Sequence, residues 1–328
     1  MEHGSLLQLA IHEAMFLHTH EKQVLESVVR SERFFRSLSV LDLSRIVGRP
    51  IRSRAWDPQR MLDLAARRQT FLEHRGIDVL HIEDSSYPPQ LREIFDPPYV
   101  LFLRGNLPSA DIPATAIVGT RKPSDAATEA ARSLAYELGT RGLPVVSGLA
   151  YGIDAAAARG TLEAGAGGVA VLGTGIDAIY PARHAELAAC ILRLGGAILS
   201  EYAPYTPTRA HHFPARNRII SGLARWTVVV QAPERSGALI TADYALEQGR
   251  ELVVHAAGLN GRVGSGTSAL AEDGAPVISN AQELLSSGLQ RPRHADQLDL
   301  LDDAPAYGGQ TSQKPTQQSW YVHEGAAS

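Results

Sequence analysis

Residues 116–124 read Ala-Ile-Val-Gly-Thr-Arg-Lys-Pro-Ser, which is a short apolar strand, a glycine loop and the start of a helix. Between Thr115 and about Asn280 the same unit recurs, with further loops at 147–154, 173–177 and 232–237. Strands that alternate with helices run parallel, because each helix carries the chain back across the sheet. All four loops then meet at the carboxyl edge, where open α/β sheets bind ligands. The pattern predicts an α/β fold whose extended, Rossmann-like sheet is mostly parallel.

Individual elements follow from the apolar runs between these loops. Val, Ile and Leu fill the strands without alternation, as expected when helices cover both faces of a sheet. Strands are predicted at 115–118, 143–147, 168–172, 196–200, 226–231, 251–255 and 276–278. Helices are predicted at about 124–140, 153–164, 183–194, 215–223, 237–248, 267–273 and 281–287.

The regions outside the sheet differ in composition. Apolar residues at helical spacing predict a small all-helical module at 1–76, whose last helix starts at Asp57 and Pro58, residues suited to the N-cap and first helical position. The sheet domain is predicted at 77–289 and includes two strands in a proline-rich lead-in. Residues 290–328 are polar and are expected to be disordered.

Charge and hydropathy limit the classes of function. The 328 residues carry a formal net charge of −4. That charge is uneven, because residues 45–68 hold seven arginines against Asp57 and Asp63. No stretch approaches the roughly 18 apolar residues that a bilayer requires, so we expect a soluble, cytoplasmic protein without a membrane partner. An uneven charge of this kind is compatible with nucleic acid.

The loop at 119–124 has the composition of an anion site. Ser124 fits a helix N-cap, and Gly119 allows a close backbone approach. Arg121 and Lys122 lie beside the positive end of a helix, where two cations are unfavourable unless an anion joins them. We therefore predict phosphate binding here, with a purely structural turn as the alternative.

Residues 213–222 read Phe-Pro-Ala-Arg-Asn-Arg-Ile-Ile-Ser-Gly and predict a polar helix start. Arg216, Asn217 and Arg218 fall in its first turn, facing the loop edge. Phosphate donors beside an aromatic ring suit single-stranded nucleic acid, with Phe213 as the stacking surface. The alternative is that Phe213 fills the core.

Other loops give weaker signals. Ser236 suits an N-cap and Gly237 a close backbone approach. Residues 173–178 match the dinucleotide form G-x-G-x-x-A, with Glu201 as a ribose-binding acid, but Tyr180 and Pro181 delay the helix that such a motif should open. Asp154 and Asp177 are interpreted as caps of a helix or a turn. No metal-ligand spacing, nucleophile elbow or Walker lysine occurs, so we expect no cofactor, no metal and no catalytic residue.

Taken together, these segments resemble the bacterial DNA-processing protein A family (DprA, also called Smf). The resemblance covers roughly residues 80–285 and keeps the family's order of motifs. The segments that carry it are 116–124, 146–154, 170–177 with Tyr180 and Pro181, 199–202, 212–222 and 234–241.

The resemblance implies a non-enzymatic protein that binds single-stranded DNA taken up in natural transformation, shields it and helps to load the RecA recombinase. It also implies a homodimer and a SAM-like helical module at the N-terminus. By position, Arg121 and Lys122 hold phosphate, Phe213 stacks on a base, and Arg216, Asn217 and Arg218 line the same pocket. Gly119, Gly148 and Gly237 supply loop backbone. Tyr151 stands where the family commonly has a basic residue.

Two other functions use the same cleft. A nucleotide N-glycosidase, related to the cytokinin-activating phosphoribohydrolases, needs a catalytic Glu three residues after a Gly-Gly-x-Gly-Thr motif; Thr241 is followed at that spacing by Tyr244, and Asp243 is out of register. A small-nucleotide sensor needs no chemistry and predicts little gain in affinity from a longer strand.

Overall fold

The computed structural model describes residues 5–259 and 261–287. These residues form one compact unit. The predicted tail, 290–328, lies outside the described residues. That residues 1–76 form a domain of their own stays a prediction.

Helices occupy the N-terminal part and alternate with strands afterwards. They are α1 Leu6–His12, α2 Thr19–Val28, α3 Glu32–Ser37, α4 Val40–Val47, α5 Pro58–Arg75, α6 Pro89–Arg92, α7 Asp125–Thr140, α8 Ile153–Glu163, α9 Ala185–Arg193, α10 His212–Gly222, α11 Gly237–Glu247, α12 Ser265–Glu272 and α13 Ala281–Ser287.

Several helix starts were encoded by their N-cap residues. Asp57 accepts a hydrogen bond from the Arg60 amide and Pro58 opens α5, as predicted. Ser124 accepts from the Ala127 amide at the start of α7. Ser236 accepts from the Ala238 amide at the start of α11. Each side chain satisfies an amide that the helix itself leaves without a partner.

The strands form a single nine-stranded sheet within the described residues. They are β1 Asp78–His81, β2 Val100–Gly105, β3 Thr115–Val118, β4 Val145–Ser147, β5 Val169–Gly175, β6 Ala197–Tyr202, β7 Trp226–Val229, β8 Glu251–His255 and β9 Val277–Ile278. The predicted α/β fold is confirmed, and each predicted strand has its counterpart.

The strand order explains where a ligand site forms. It runs β1-β2-β6-β5-β4-β3-β7-β8-β9. Strands β3 to β9 pair in parallel, whereas β2 pairs antiparallel with β6 and with β1. From β3 the chain first builds the sheet through β4 and β5 to β6, and then returns to β7 on the other side of β3. Between β3 and β7 the order therefore reverses, which opens a crevice at the carboxyl edge.

The helices of the N-terminal part join the sheet through buried charges. Arg68 of α5 pairs with Glu13 and donates to the carbonyl of Pro204 at 2.9 Å. Lys22 of α2 is buried and donates to the carbonyl of His12. Burial lowers the pKa of Lys22 to about 8, against the opposing attraction of Glu201.

A helix that crosses a bilayer needs about 20 predominantly apolar residues. Among the described residues, no helix is both long and apolar enough to cross a membrane.

Candidate functional site

A cleft of about 690 Å³ opens at the carboxyl edge, where the loops after β3 and β7 diverge. It contains eight of the ten residues predicted to bind phosphate or DNA. These are Gly119, Arg121, Lys122, Phe213, Arg216, Asn217, Ser236 and Gly237. The structure therefore brings these eight residues to one cleft, although the surroundings of their side chains differ. That they bind phosphate or DNA stays a prediction.

The rim of the cleft, residues 119–122, carries exposed cations. Arg121 and Lys122 are both exposed, and no carboxylate pairs with either of them within 5–259 and 261–287. The loop itself is fixed, because the Gln231 side chain accepts from the Ser124 amide at 2.8 Å and its own amide donates to the Ser124 hydroxyl. The Thr120 amide donates to the Gln231 carbonyl at 2.7 Å. Two cations that have no carboxylate partner among the described residues thus lie on a loop held by three hydrogen bonds.

Aromatic rings lie beside these cations. Phe213 of α10 is half-buried and lines the cleft, with the Arg121 guanidinium 6.0 Å from its ring centroid. The Tyr180 ring, 51% exposed, lies 5.3 Å away between centroids. The absence of a side chain at Gly173 leaves room for the Phe213 ring, since a Cβ at Gly173 would lie 2.8 Å from Phe213 Cδ1. The glycine loop at 173–177 therefore seats an aromatic ring.

The floor of the cleft, formed by Arg216 and Asp154, is charged but buried. Gly148, which was predicted to supply loop backbone to the site, contacts Arg216 and does not itself line the cleft. Arg216 is only 5% exposed, and its guanidinium donates to the carbonyl of Gly148 at 2.8 Å and to that of Val171. A Cβ at Gly148 would lie 2.4 Å from Arg216 Nη2, so only glycine admits the guanidinium. Burial lowers the pKa of Arg216 to about 10, against the attraction of Asp154. The side chain stays protonated at neutral pH and offers a positive floor.

Asp154 organises the neighbouring loop. Its carboxylate accepts from the amides of Gly148 and Ala150 at 3.0 and 3.4 Å. Burial raises the pKa of Asp154, and nearby Arg216 opposes that change. Its hydrogen bonds are structural, in line with the expected capping role.

Asn217, Ser236 and Gly237 join the two helices that form one wall. The Asn217 amide donates to the carbonyl of Gly237 at 3.0 Å, so α10 holds the first turn of α11. Ser236 caps that turn. These contacts fix the wall and leave the Gly237 backbone beside open space.

Arg218 is a correction to the predicted site, because it does not line the cleft. Its guanidinium lies on the opposite side of α10, where it forms two hydrogen bonds to Glu201 at 2.9 and 2.6 Å. Its Nε donates to the carbonyl of Asp96 at 2.8 Å. Burial would raise the pKa of Glu201, but Arg218 lowers it overall. The sequence predicted that Arg216, Asn217 and Arg218 share one pocket, but these residues face different sides of α10. The charge of Arg218 is neutralised by Glu201 inside the protein.

The same pair excludes Glu201 as a ribose-binding acid, because both of its oxygens accept from Arg218. The dinucleotide interpretation of 173–178 loses its acidic partner. Asp177, the other acid of that loop, accepts from the Tyr205 amide at 3.0 Å and fixes a turn.

Sequence reasoning missed several lining residues. Tyr180 enters the sequence analysis only as a delay before a helix and in a family motif, and Ile240 only as part of the predicted helix 237–248; both line the cleft. A signal for Tyr180 was available, since an aromatic residue before a proline in a strand-to-helix loop at this edge is positioned near the ligand. Ile240 gave none, because an apolar residue in an amphipathic helix usually faces the core.

The arrangement suits binding of a phosphate chain with adjoining bases. Cations at the rim attract phosphates, the rings of Phe213 and Tyr180 offer flat apolar surfaces, and the buried guanidinium of Arg216 adds a positive potential. Among the lining residues Asp154 is the sole carboxylate, and its Oδ2 accepts from two backbone amides. No group of three or more metal-ligating side chains occurs within the described residues.

The chain is similar in sequence to known DNA processing proteins. Over 235 residues, 72% of the chain, it is 39% identical to protein Smf of Escherichia coli. The match spans 61% of the length of that protein. Over 205 residues it is 38% identical to the DNA processing protein DprA of Streptococcus pneumoniae, covering 62% of this chain and 72% of that one.

Solved structures show the same fold. The X-ray structure of DprA from Streptococcus pneumoniae superposes with a TM-score of 0.69 at 31% identity, covering 87% of this chain and 98% of the other. DNA processing protein A from Helicobacter pylori, whose structure describes a single-stranded DNA binding mode, gives a TM-score of 0.55 at 29% identity, with coverage of 64% and 95%.

The family model of DNA recombination-mediator protein A matches residues 78–288, which include the sheet and every residue of the cleft. The chain belongs to the DNA recombination-mediator protein A family.

Proposed function

We propose that the chain binds single-stranded DNA in the cleft, without cutting or altering it, and acts as a recombination mediator in the cytoplasm. The observation that carries the proposal is the pair of exposed cations at the rim, Arg121 and Lys122, together with the half-buried ring of Phe213, which lies 6.0 Å from the Arg121 guanidinium. Phosphates are neutralised by the cations while a base stacks on the ring. Neither contact reads a base edge, so binding is independent of sequence.

The relatives support the same class of ligand. The Helicobacter pylori relative binds single-stranded DNA, and the Streptococcus pneumoniae relative is named for DNA processing. Protection of incoming DNA during transformation, loading of RecA and action as a homodimer are proposed from membership of the family.

The site is built for binding rather than hydrolysis. The N-glycosidases need a catalytic Glu three residues after the threonine of their motif, and Tyr244 stands at that position here. The carboxylate of Asp154 is buried, and one of its oxygens, Oδ2, accepts from two backbone amides. A nucleotide sensor would use the same cations, and it differs from a strand-binding protein in its response to ligand length.

The experiment is a titration of fluorescent oligothymidylates of increasing length, with the wild-type protein and the Arg121→Ala/Lys122→Ala variant. The variant is expected to bind about 10- to 100-fold more weakly, and the slope of log K against log salt is expected to be smaller by about 1.4, since each phosphate contact to a single strand contributes about 0.7. Arg159→Ala, an exposed arginine of α8 outside the cleft, is the control for charge.

Equal affinity of the wild-type protein and the rim variant would overturn the proposal. Affinity for thymidine monophosphate equal to that for a long strand would favour the sensor. Release of free adenine from AMP would favour the N-glycosidase.

A further inference from the structure

A second surface of cations and aromatic rings lies on α5, in the arginine-rich segment that the cleft leaves unused. Arg60, Arg67, Phe71 and Arg75 recur at helical spacing and share one face of that helix. The three arginines are exposed, and the Arg75 guanidinium lies 5.5 Å from the ring centroid of Phe71. Between residues 5 and 259 and from 261 to 287, no carboxylate forms an ion pair with any of these three.

The ring of Tyr205 extends this face toward the sheet. Its centroid lies 5.0 Å from that of Phe71, and the side chain is 61% exposed. The residue has a φ of +63°, a left-handed conformation that is unfavourable for a bulky residue and persists only where its surroundings impose it. Here the surroundings are the Asp177 carboxylate, which accepts from the Tyr205 amide.

Arg68 fixes this turn to α5. The buried guanidinium donates to the Pro204 carbonyl at 2.9 Å and to the Thr206 hydroxyl at 3.2 Å, and it pairs with Glu13. Contacts on both sides of Tyr205 therefore hold its ring against the face of α5.

The same segment leads directly to the cleft. Residues 207–211 are exposed and include Arg209 and His211, and α10 then begins and presents Phe213. Between Tyr205 and Phe213 this exposed segment therefore carries one cation, Arg209, and one further ring, His211. The simplest alternative is that the arginines of α5 only complement the negative end of the helix dipole. That alternative gives no reason for an exposed tyrosine in an unfavourable conformation beside them.

We infer that the face formed by Arg67, Phe71, Arg75 and Tyr205 is a second contact for single-stranded DNA, which receives the strand after it leaves the cleft over residues 207–211. The inference rests on the proposed function of the cleft. Interleaved rings and cations favour a nucleic acid over an acidic polypeptide, because bases stack on the rings while phosphates meet the arginines. The helices before the sheet then lengthen the binding site instead of serving only as a structural attachment.

The test compares a short and a long oligothymidylate, of about 6 and about 16 nucleotides, which lie within the range of about 4–16 nucleotides known for single-strand sites. The variants are Arg67→Ala/Arg75→Ala and Tyr205→Ala. Both are expected to bind the long strand about tenfold more weakly and the short strand with unchanged affinity, with the double variant lowering the salt slope for the long strand by about 1.4. Arg33→Ala, an exposed arginine of α3, is the control and is expected to change neither affinity.

Unchanged binding of the long strand by both variants would overturn the inference, as would equal losses for both lengths. Loss of poly-L-glutamate binding with DNA binding intact would show that the face serves an acidic polypeptide. Failure of the wild-type protein to bind the short strand would instead remove the proposed function of the cleft, so the two failures are distinguishable.

Discussion

Arg121 at the rim of the cleft is exposed and has no carboxylate partner in the part of the chain that the structure describes, whereas Arg218, on the far side of the cleft wall, is buried against Glu201. Both arginines belong to motifs that the sequence assigned to one phosphate pocket. The comparison shows that a charge available to a ligand is one that the protein has left unneutralised. A paired, buried charge contributes to the fold instead. Arg216 stands between these cases, since carbonyl groups hold it while its charge still faces the cleft.

The largest effect should come from breaking the buried pair. Arg218→Ala leaves the Glu201 carboxylate buried and without its partner, so the free energy of unfolding should fall by about 3–5 kcal/mol. Urea unfolding followed by circular dichroism measures this loss. The Arg218→Met/Glu201→Met variant removes both charges and should lose less than the single variant. If Arg218→Ala were as stable as the wild-type protein, Arg218 would not stabilise the fold, and it would not differ from Arg121 in that respect.

An intermediate effect is expected from the aromatic part of the cleft. Phe213→Ala removes the ring on which a base stacks, and such contacts are worth about 1–3 kcal/mol of binding free energy. Fluorescence anisotropy with an oligothymidylate measures the affinity, and Phe213→Tyr, which keeps a ring, is the matched control. Equal losses in both variants would show that Phe213 supports the wall and does not stack.

The smallest effect concerns Lys22, which is buried near Glu201. Its pKa is lowered by burial from 10.5 to about 8, so between these values the unfolded chain binds more protons than the folded protein. Stability should therefore rise with pH in that window, by about 1.5 kcal/mol between roughly pH 8 and pH 9.5. Urea unfolding at the two pH values should show the rise in the wild-type protein and a flatter response in Lys22→Met. An equal rise in the stability of Lys22→Met would show that titratable groups other than Lys22 cause the pH dependence.

The sheet was predictable because its signals are local. Uninterrupted apolar runs, loops with glycine and the capping residues Asp57, Ser124 and Ser236 each act within a few neighbours in sequence. The carboxyl edge followed from parallel strands alone. Eight of the ten predicted binding residues lie in the cleft for the same reason.

What could not be predicted depends on partners distant in sequence. Whether Arg218 is free is decided by Glu201 and by the carbonyl of Asp96, both contributed by other segments. The contact between Phe71 and Tyr205 joins residues more than a hundred positions apart. The turn that contains Tyr205 is not predicted by any local sequence pattern. The helical spacing of the α5 arginines predicts that they share one face of the helix, but it does not predict that the ring of Tyr205 lies beside that face.

Gln231 fastens the loop after β3 to the end of β7, so one amide side chain spans the point where the two halves of the sheet diverge. The width of the opening is then fixed by covalent geometry and short hydrogen bonds before any ligand arrives. For the proposed ligand, single-stranded DNA, the flexible partner would then be the strand, whose backbone has to adapt to a cleft of fixed width. The entropic cost of the proposed association would fall mainly on the DNA, and segments that are already unstacked are expected to bind most readily.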